Sequence, residues 1–85
     1  MVEFQYTITD EAGIHARPAG KIVAAVKGFE SHVTCWSEDE AYDVKKLLSF
    51  MGSELEYGEV VTIRTEGPDE IEAAEAAKKA FEENL

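Results

Sequence analysis

Apolar and polar residues alternate with a period of two in three stretches of the chain and recur at helical spacing in three others. From Val2 to Thr9, Phe4, Tyr6 and Ile8 fall on one face and Gln5, Thr7 and Thr9 on the other, as in a strand with one side buried. Ser31 to Ser37 repeats the pattern, with Val33 and Cys35 set against His32, Thr34 and Trp36. Glu59 to Thr65 repeats it again through Val61 and Ile63, and after a polar turn Glu40 to Asp43 reads as a short returning strand. Ala16 to Lys27 predicts a helix with Ala19, Ile22, Val23 and Val26 inward; Pro18 sits in its first turn and Gly28 stops it. Val44 to Met51 predicts a short helix carrying Val44, Leu47, Leu48 and Met51, ended by Gly52. Gly67-Pro68-Asp69-Glu70 opens a last helix with Ile71, Ala74, Ala77 and Phe81 as its apolar stripe.

The order β-α-β-β-α-β-α predicts an α+β fold. The expected architecture is an open-faced β-sandwich, a four-stranded antiparallel sheet covered on one face by three helices. No repeat, low-complexity run or linker interrupts it, so residues 1–85 read as one small domain.

Charge narrows the partners. Eighteen acidic against eight basic side chains give a formal net charge of −10, which repels nucleic acid and anionic membranes. One cysteine, Cys35, cannot form an internal disulfide and reads as a small buried side chain. His32 and Cys35 lack further ligands at zinc spacing, so no metal site is expected. No signal segment opens the chain and no apolar run reaches membrane-spanning length, so a cytoplasmic protein without membrane insertion is the simplest expectation.

The chemistry concentrates in Gly13-Ile14-His15-Ala16-Arg17-Pro18-Ala19. One histidine stands just before an amphipathic helix, with an arginine two residues on. A helix start carries unpaired N–H groups and the positive end of the macrodipole, here the backbone of Ala16 and Arg17, and so attracts phosphate. Neutral imidazole has a free ring nitrogen that can attack phosphorus, and Arg17 could stabilise the charge on a transferring phosphoryl group. The plainer alternatives are a surface cap for His15 and a solvated helix arginine for Arg17.

This segment resembles the active-site pattern of the HPr family, the histidine-containing phosphocarriers of the bacterial sugar phosphotransferase system. The resemblance extends to its distance from the N-terminus, the length of the chain, the element order, Lys27-Gly28-Phe29 after the first helix, and Gly58 to Gly67 around the last strand. It implies a carrier that accepts a phosphoryl group from enzyme I, charged by phosphoenolpyruvate, and passes it to enzyme IIA components. His15 would hold the group on Nδ1 and Arg17 would stabilise it. The chain would be a covalent intermediate rather than an independent catalyst, act as a monomer and need no cofactor or metal. The resemblance also implies a partner-binding patch at Leu47, Leu48 and Met51, whose spacing equally fits a core stripe. Lys21, Lys27, Lys45 and Lys46 could form a basic rim that orients acidic partners.

The chain departs from the family at several points. Lys46 occupies the position of a regulatory serine and cannot accept phosphate there. Ala12 stands where Ser or Asn is frequent, Ala16 where some members have Thr, and Glu54 where Gly is common, so the loop after the second helix is expected to change shape. These departures leave open a nitrogen-regulating paralogue of the family, or a regulatory interaction module of the same fold.

Overall fold

The computed structural model describes residues 1–85. Its elements are β1 (Val2–Thr7), α1 (Ala16–Val26), β2 (His32–Ser37), β3 (Glu40–Asp43), α2 (Leu47–Met51), β4 (Val60–Glu66) and α3 (Glu70–Asn84). The strands form one sheet in the order β1-β4-β2-β3, every neighbouring pair antiparallel. This is the expected open-faced α+β sandwich.

The alternation read from the sequence decides which face is covered. Ile8, Val33, Cys35, Val61 and Ile63 are buried beneath the helices, with Phe4 and Tyr6 packed against them. One cluster of 16 buried residues joins this face to Ala19, Ile22 and Val26 of α1, Phe50 of α2, and Ala73, Ala77, Ala80 and Phe81 of α3. The uncovered face is closed by side chains alone. Glu3 lies opposite Arg64 and accepts from its guanidinium at 3.1 Å, and Arg64 stacks 4.8 Å above the Trp36 ring. Burial pushes the Cys35 thiol up to about 12, with the Glu59 carboxylate adding to the effect, so it stays protonated and unreactive at neutral pH.

Two boundaries differ from the sequence expectation because backbone groups find other partners, and in the last helix a different stripe is buried. β1 ends at Thr7, since the N–H groups of Thr9 and Asp10 turn from the ladder to the Leu85 main-chain oxygen, at 2.6 and 2.8 Å. α2 begins at Leu47 rather than Val44. The Val44 N–H still extends the sheet, donating to the Val33 carbonyl at 2.9 Å, and the Asp43 carboxylate holds Lys45 N–H at 2.9 Å in a competing local turn. In α3, Ile71 is 61% exposed and the buried stripe runs through Ala73, Ala74, Ala77, Ala80 and Phe81.

Neither glycine expected to stop a helix does so by a left-handed turn. Gly52 keeps a helical φ of −63°, and the left-handed residue after α2 is Glu54, at φ 51°. A side chain in that region costs roughly 1–2 kcal/mol. Glu54→Gly is therefore expected to raise unfolding free energy by about 0.5–1 kcal/mol, after allowance for the freer unfolded chain. Urea denaturation checks this; an unchanged or lower midpoint would contradict it.

The start of α3 is tied to the start of β2. Asp69 accepts from Glu30 N–H and Ser31 N–H, both at 2.9 Å, and from the Ser31 hydroxyl at 2.5 Å. A Cβ on Gly67 would lie 2.7 Å from Ser31 Cα, so only glycine admits this approach. The Ser31 hydroxyl first, then the Glu30 and Ser31 amides, hold the Asp69 carboxyl below the usual carboxylate range. A depressed carboxylate stabilises the fold above its unfolded pKa and loses that contribution as pH falls through its folded value. Asp69→Ala should lower Tm at pH 7, with the gap to the parent chain closing as pH falls below the ordinary carboxylate range. A gap independent of pH would show that the ionised form is not what matters.

Candidate functional site

His15 is the N-cap of α1. Its backbone is extended, φ −150° and ψ 175°, and its carbonyl accepts the first helical bond from Ala19 N–H at 3.0 Å. Its side chain caps nothing and is exposed, so both ring nitrogens are free. The next two N–H groups, of Ala16 and Arg17, have no hydrogen-bond partner; Pro18, which has none to offer, is buried in the first turn. No acidic residue stands in that turn despite the chain's net charge of −10. Arg17 is exposed and free of ion pairs. A free imidazole, two unpaired amides and an arginine with no ion pair thus come from three consecutive residues, His15 to Arg17, at the positive end of an 11-residue helix.

The loop leading to His15 is fixed from three sides. The Asp10 carboxylate accepts from Ala12 N–H at 2.8 Å and its carbonyl from Gly13 N–H at 2.9 Å. The Leu85 main-chain oxygen accepts from the Thr9 amide and hydroxyl and from Asp10 N–H. The Ile14 N–H donates to the Leu55 carbonyl at 2.9 Å.

α2 divides its side chains between two environments. Val44 just before it and Phe50 within it are fully buried, whereas Leu47 and Leu48 are 39% and 86% exposed. Met51 is half-buried against the core. Leu47 and Leu48 are therefore surface residues and Met51 straddles the two. The segment after α2 meets the loop before His15 at Leu55, while Lys45 Nζ donates to the Phe29 carbonyl beyond the far end of α1. α2 therefore runs back toward His15. Lys45 is thus tied to the chain beyond the end of α1 opposite the one that carries His15. Lys21, Lys27 and Lys46 are exposed.

His32 is exposed on the uncovered sheet face, as its alternation predicts. It lines a shallow hollow of about 240 Å³ with Thr34, Trp36, Arg64 and Glu66, separate from the α1 terminus. No three His, Cys, Asp or Glu side chains converge as a metal cage. No helix is long and apolar enough to cross a membrane. The sequence gives no sign of the Leu55 contact, because a single leucine between Glu54 and Glu56 carries no periodic signal and the contact is made by its main-chain oxygen.

A family model described as "PTS HPr component phosphorylation site" matches residues 2–83. The chain belongs to the HPr family. It is 42% identical over 72 residues to the phosphocarrier protein HPr of Lysinibacillus sphaericus, covering 85% of this chain and 82% of that one. Its fold is similar to that of the histidine-containing phosphocarrier protein from Mycoplasma, at a TM-score of 0.92 and 28% identity over 96% of this chain and 93% of the other. It is also similar, at a TM-score of 0.76 and 30% identity, to an HPr dimer from Thermoanaerobacter tengcongensis, with 98% and 95% covered. Membership makes the chain an HPr-type phosphocarrier of the phosphotransferase system.

Proposed function

We propose that residues 1–85 form one cytoplasmic carrier domain that takes a phosphoryl group from phospho-enzyme I on His15 and hands it to enzyme IIA. The observation that carries this reading is the free His15 ring at the start of α1, followed by two unpaired amides and by an arginine that makes no ion pair. The lone pair of Nδ1 forms the N–P bond as the bond from phosphorus to the donor breaks, its electron pair leaving with the donor. The amides of Ala16 and Arg17 and the Arg17 guanidinium stabilise charge on the equatorial oxygens. Transfer to enzyme IIA reverses these roles. One exposed site visited in turn by two partners is what a monomer supplies.

Leu47, Leu48 and Met51 supply the docking surface. They lie on α2, which runs toward His15, and an exposed apolar patch of that kind suits brief burial against a partner. Initial rates with phosphoenolpyruvate and enzyme I separate the two contributions. Leu48→Glu should raise KM for the carrier with little change in kcat, and Arg17→Ala should chiefly lower kcat. Equal rates for both variants and the parent chain would contradict these roles.

A further inference from the structure

Granted the reading of His15 as the phosphoryl-accepting group, we propose that the Leu55 main-chain carbonyl is its positioning contact. His15 has no side-chain hydrogen bond and lies exposed, so its own contacts do not fix where the ring stands. Its position is set by the backbone on either side. Downstream, α1 holds it through the bond from Ala19 N–H. Upstream, the nearest anchor is the Ile14 N–H on the Leu55 carbonyl at 2.9 Å, one residue before the histidine.

Both partners in that bond are built to stay in place. The Leu55 side chain is 2% exposed and belongs to the core cluster, so the carbonyl is rooted in the packed interior. Glu54 takes the left-handed conformation at φ 51°, directing the chain from α2 inward at Leu55. On the other side Gly13 also takes a left-handed φ of 69°, and a Cβ there would overlap the Leu55 carbonyl oxygen. The close approach thus depends on a bare Cα at Gly13. Ile14 is itself packed against the core.

The same segment joins the site to α2. Ser53 N–H donates to the Phe50 carbonyl at 3.1 Å and Glu54 N–H to the Met51 carbonyl at 3.2 Å, so the last turn of α2 leads into Leu55 without a loose linker. A partner seated on Leu47, Leu48 and Met51 would meet a histidine held in fixed relation to that surface. Such preorganisation counts in phosphoryl transfer, where displacing a reacting atom by about 1 Å can cost on the order of a hundredfold in rate.

The test is Gly13→Ala in the full chain, assayed with phosphoenolpyruvate and enzyme I at a temperature where circular dichroism shows it folded. The proposal expects kcat to fall roughly tenfold to a hundredfold with KM changed by less than about twofold, since docking is untouched. A merely structural role would lower Tm and leave kcat of the folded chain unchanged, and that result overturns the proposal. So does a raised KM at constant kcat, which would assign the segment to docking. If Gly13→Ala does not fold, a synthetic full-length chain with Ile14 replaced by its α-hydroxy acid decides by the same kcat and KM criteria, because an ester oxygen then replaces the N–H that bonds the Leu55 carbonyl while the side chain is kept. A parent chain that accepts no phosphoryl group would instead overturn the carrier reading itself, and the positioning role with it.

Discussion

His15→Ala is expected to leave a folded chain that accepts no phosphoryl group. The ring is the only nucleophile at the α1 terminus, because neither the Ala16 and Arg17 amides nor a guanidinium can hold phosphate covalently. The substitution removes an exposed side chain that makes no hydrogen bond, so stability should shift by no more than about 0.5 kcal/mol. Loss of transfer at unchanged Tm distinguishes a carrier from a module that uses His15 as a cap. Were His15 a stabilising cap, Tm would fall as well, by the equivalent of about 1 kcal/mol. Radiolabel transfer from phosphoenolpyruvate through enzyme I, with thermal melts of both chains, reads the two quantities side by side.

The second large effect concerns the core. Phe81→Ala is expected to cost about 3–5 kcal/mol. Phe81 is fully buried where three elements meet. Its ring lies 5.6 Å from Tyr6 of β1 and 5.8 Å from Phe50 of α2, both at tilted angles, so truncation removes two aromatic contacts along with the buried area. Small domains hold only about 5–15 kcal/mol in all, and an 85-residue chain has little to spare. The variant should therefore be largely unfolded near 37 °C, as urea denaturation would show. A loss under about 1 kcal/mol would mean that α3 packs far more loosely than the structure indicates.

β1, β2 and β4 were legible because each turns one face to the core, whereas β3 has no buried residue. Alternation in Phe4-Tyr6-Ile8 and Val33-Cys35 marks the covered side directly, and the observed register confirms it. α1 was legible for the same reason, its Ala19, Ile22 and Val26 lying in one stripe. α3 was harder. Its inner face is mostly alanine, and alanines on both flanks leave the stripe undetermined; Ile71 attracts the assignment but stands exposed in the first turn. α2 is one turn and a half, too short for periodicity to separate Phe50, which is buried, from Leu48, which is not.

The site divides similarly. His15 and Arg17 declare themselves by residue type and by their place before a helix. The clamp from Leu55 to Ile14 does not, because a main-chain carbonyl can be supplied by any residue. Glu54 shows the limit most clearly. A glutamate where glycine is common suggests a reshaped loop, yet the backbone is left-handed there, the conformation glycine favours. The fold holds that turn in place against the side chain's preference.

The most direct test of the account is intact-mass spectrometry of the chain after incubation with phosphoenolpyruvate and catalytic enzyme I. The parent chain should gain a single phosphoryl group, lost on brief acid treatment, and His15→Ala should gain none. No adduct on the parent chain, or an acid-stable adduct that survives the substitution, would contradict a phosphocarrier acting through His15.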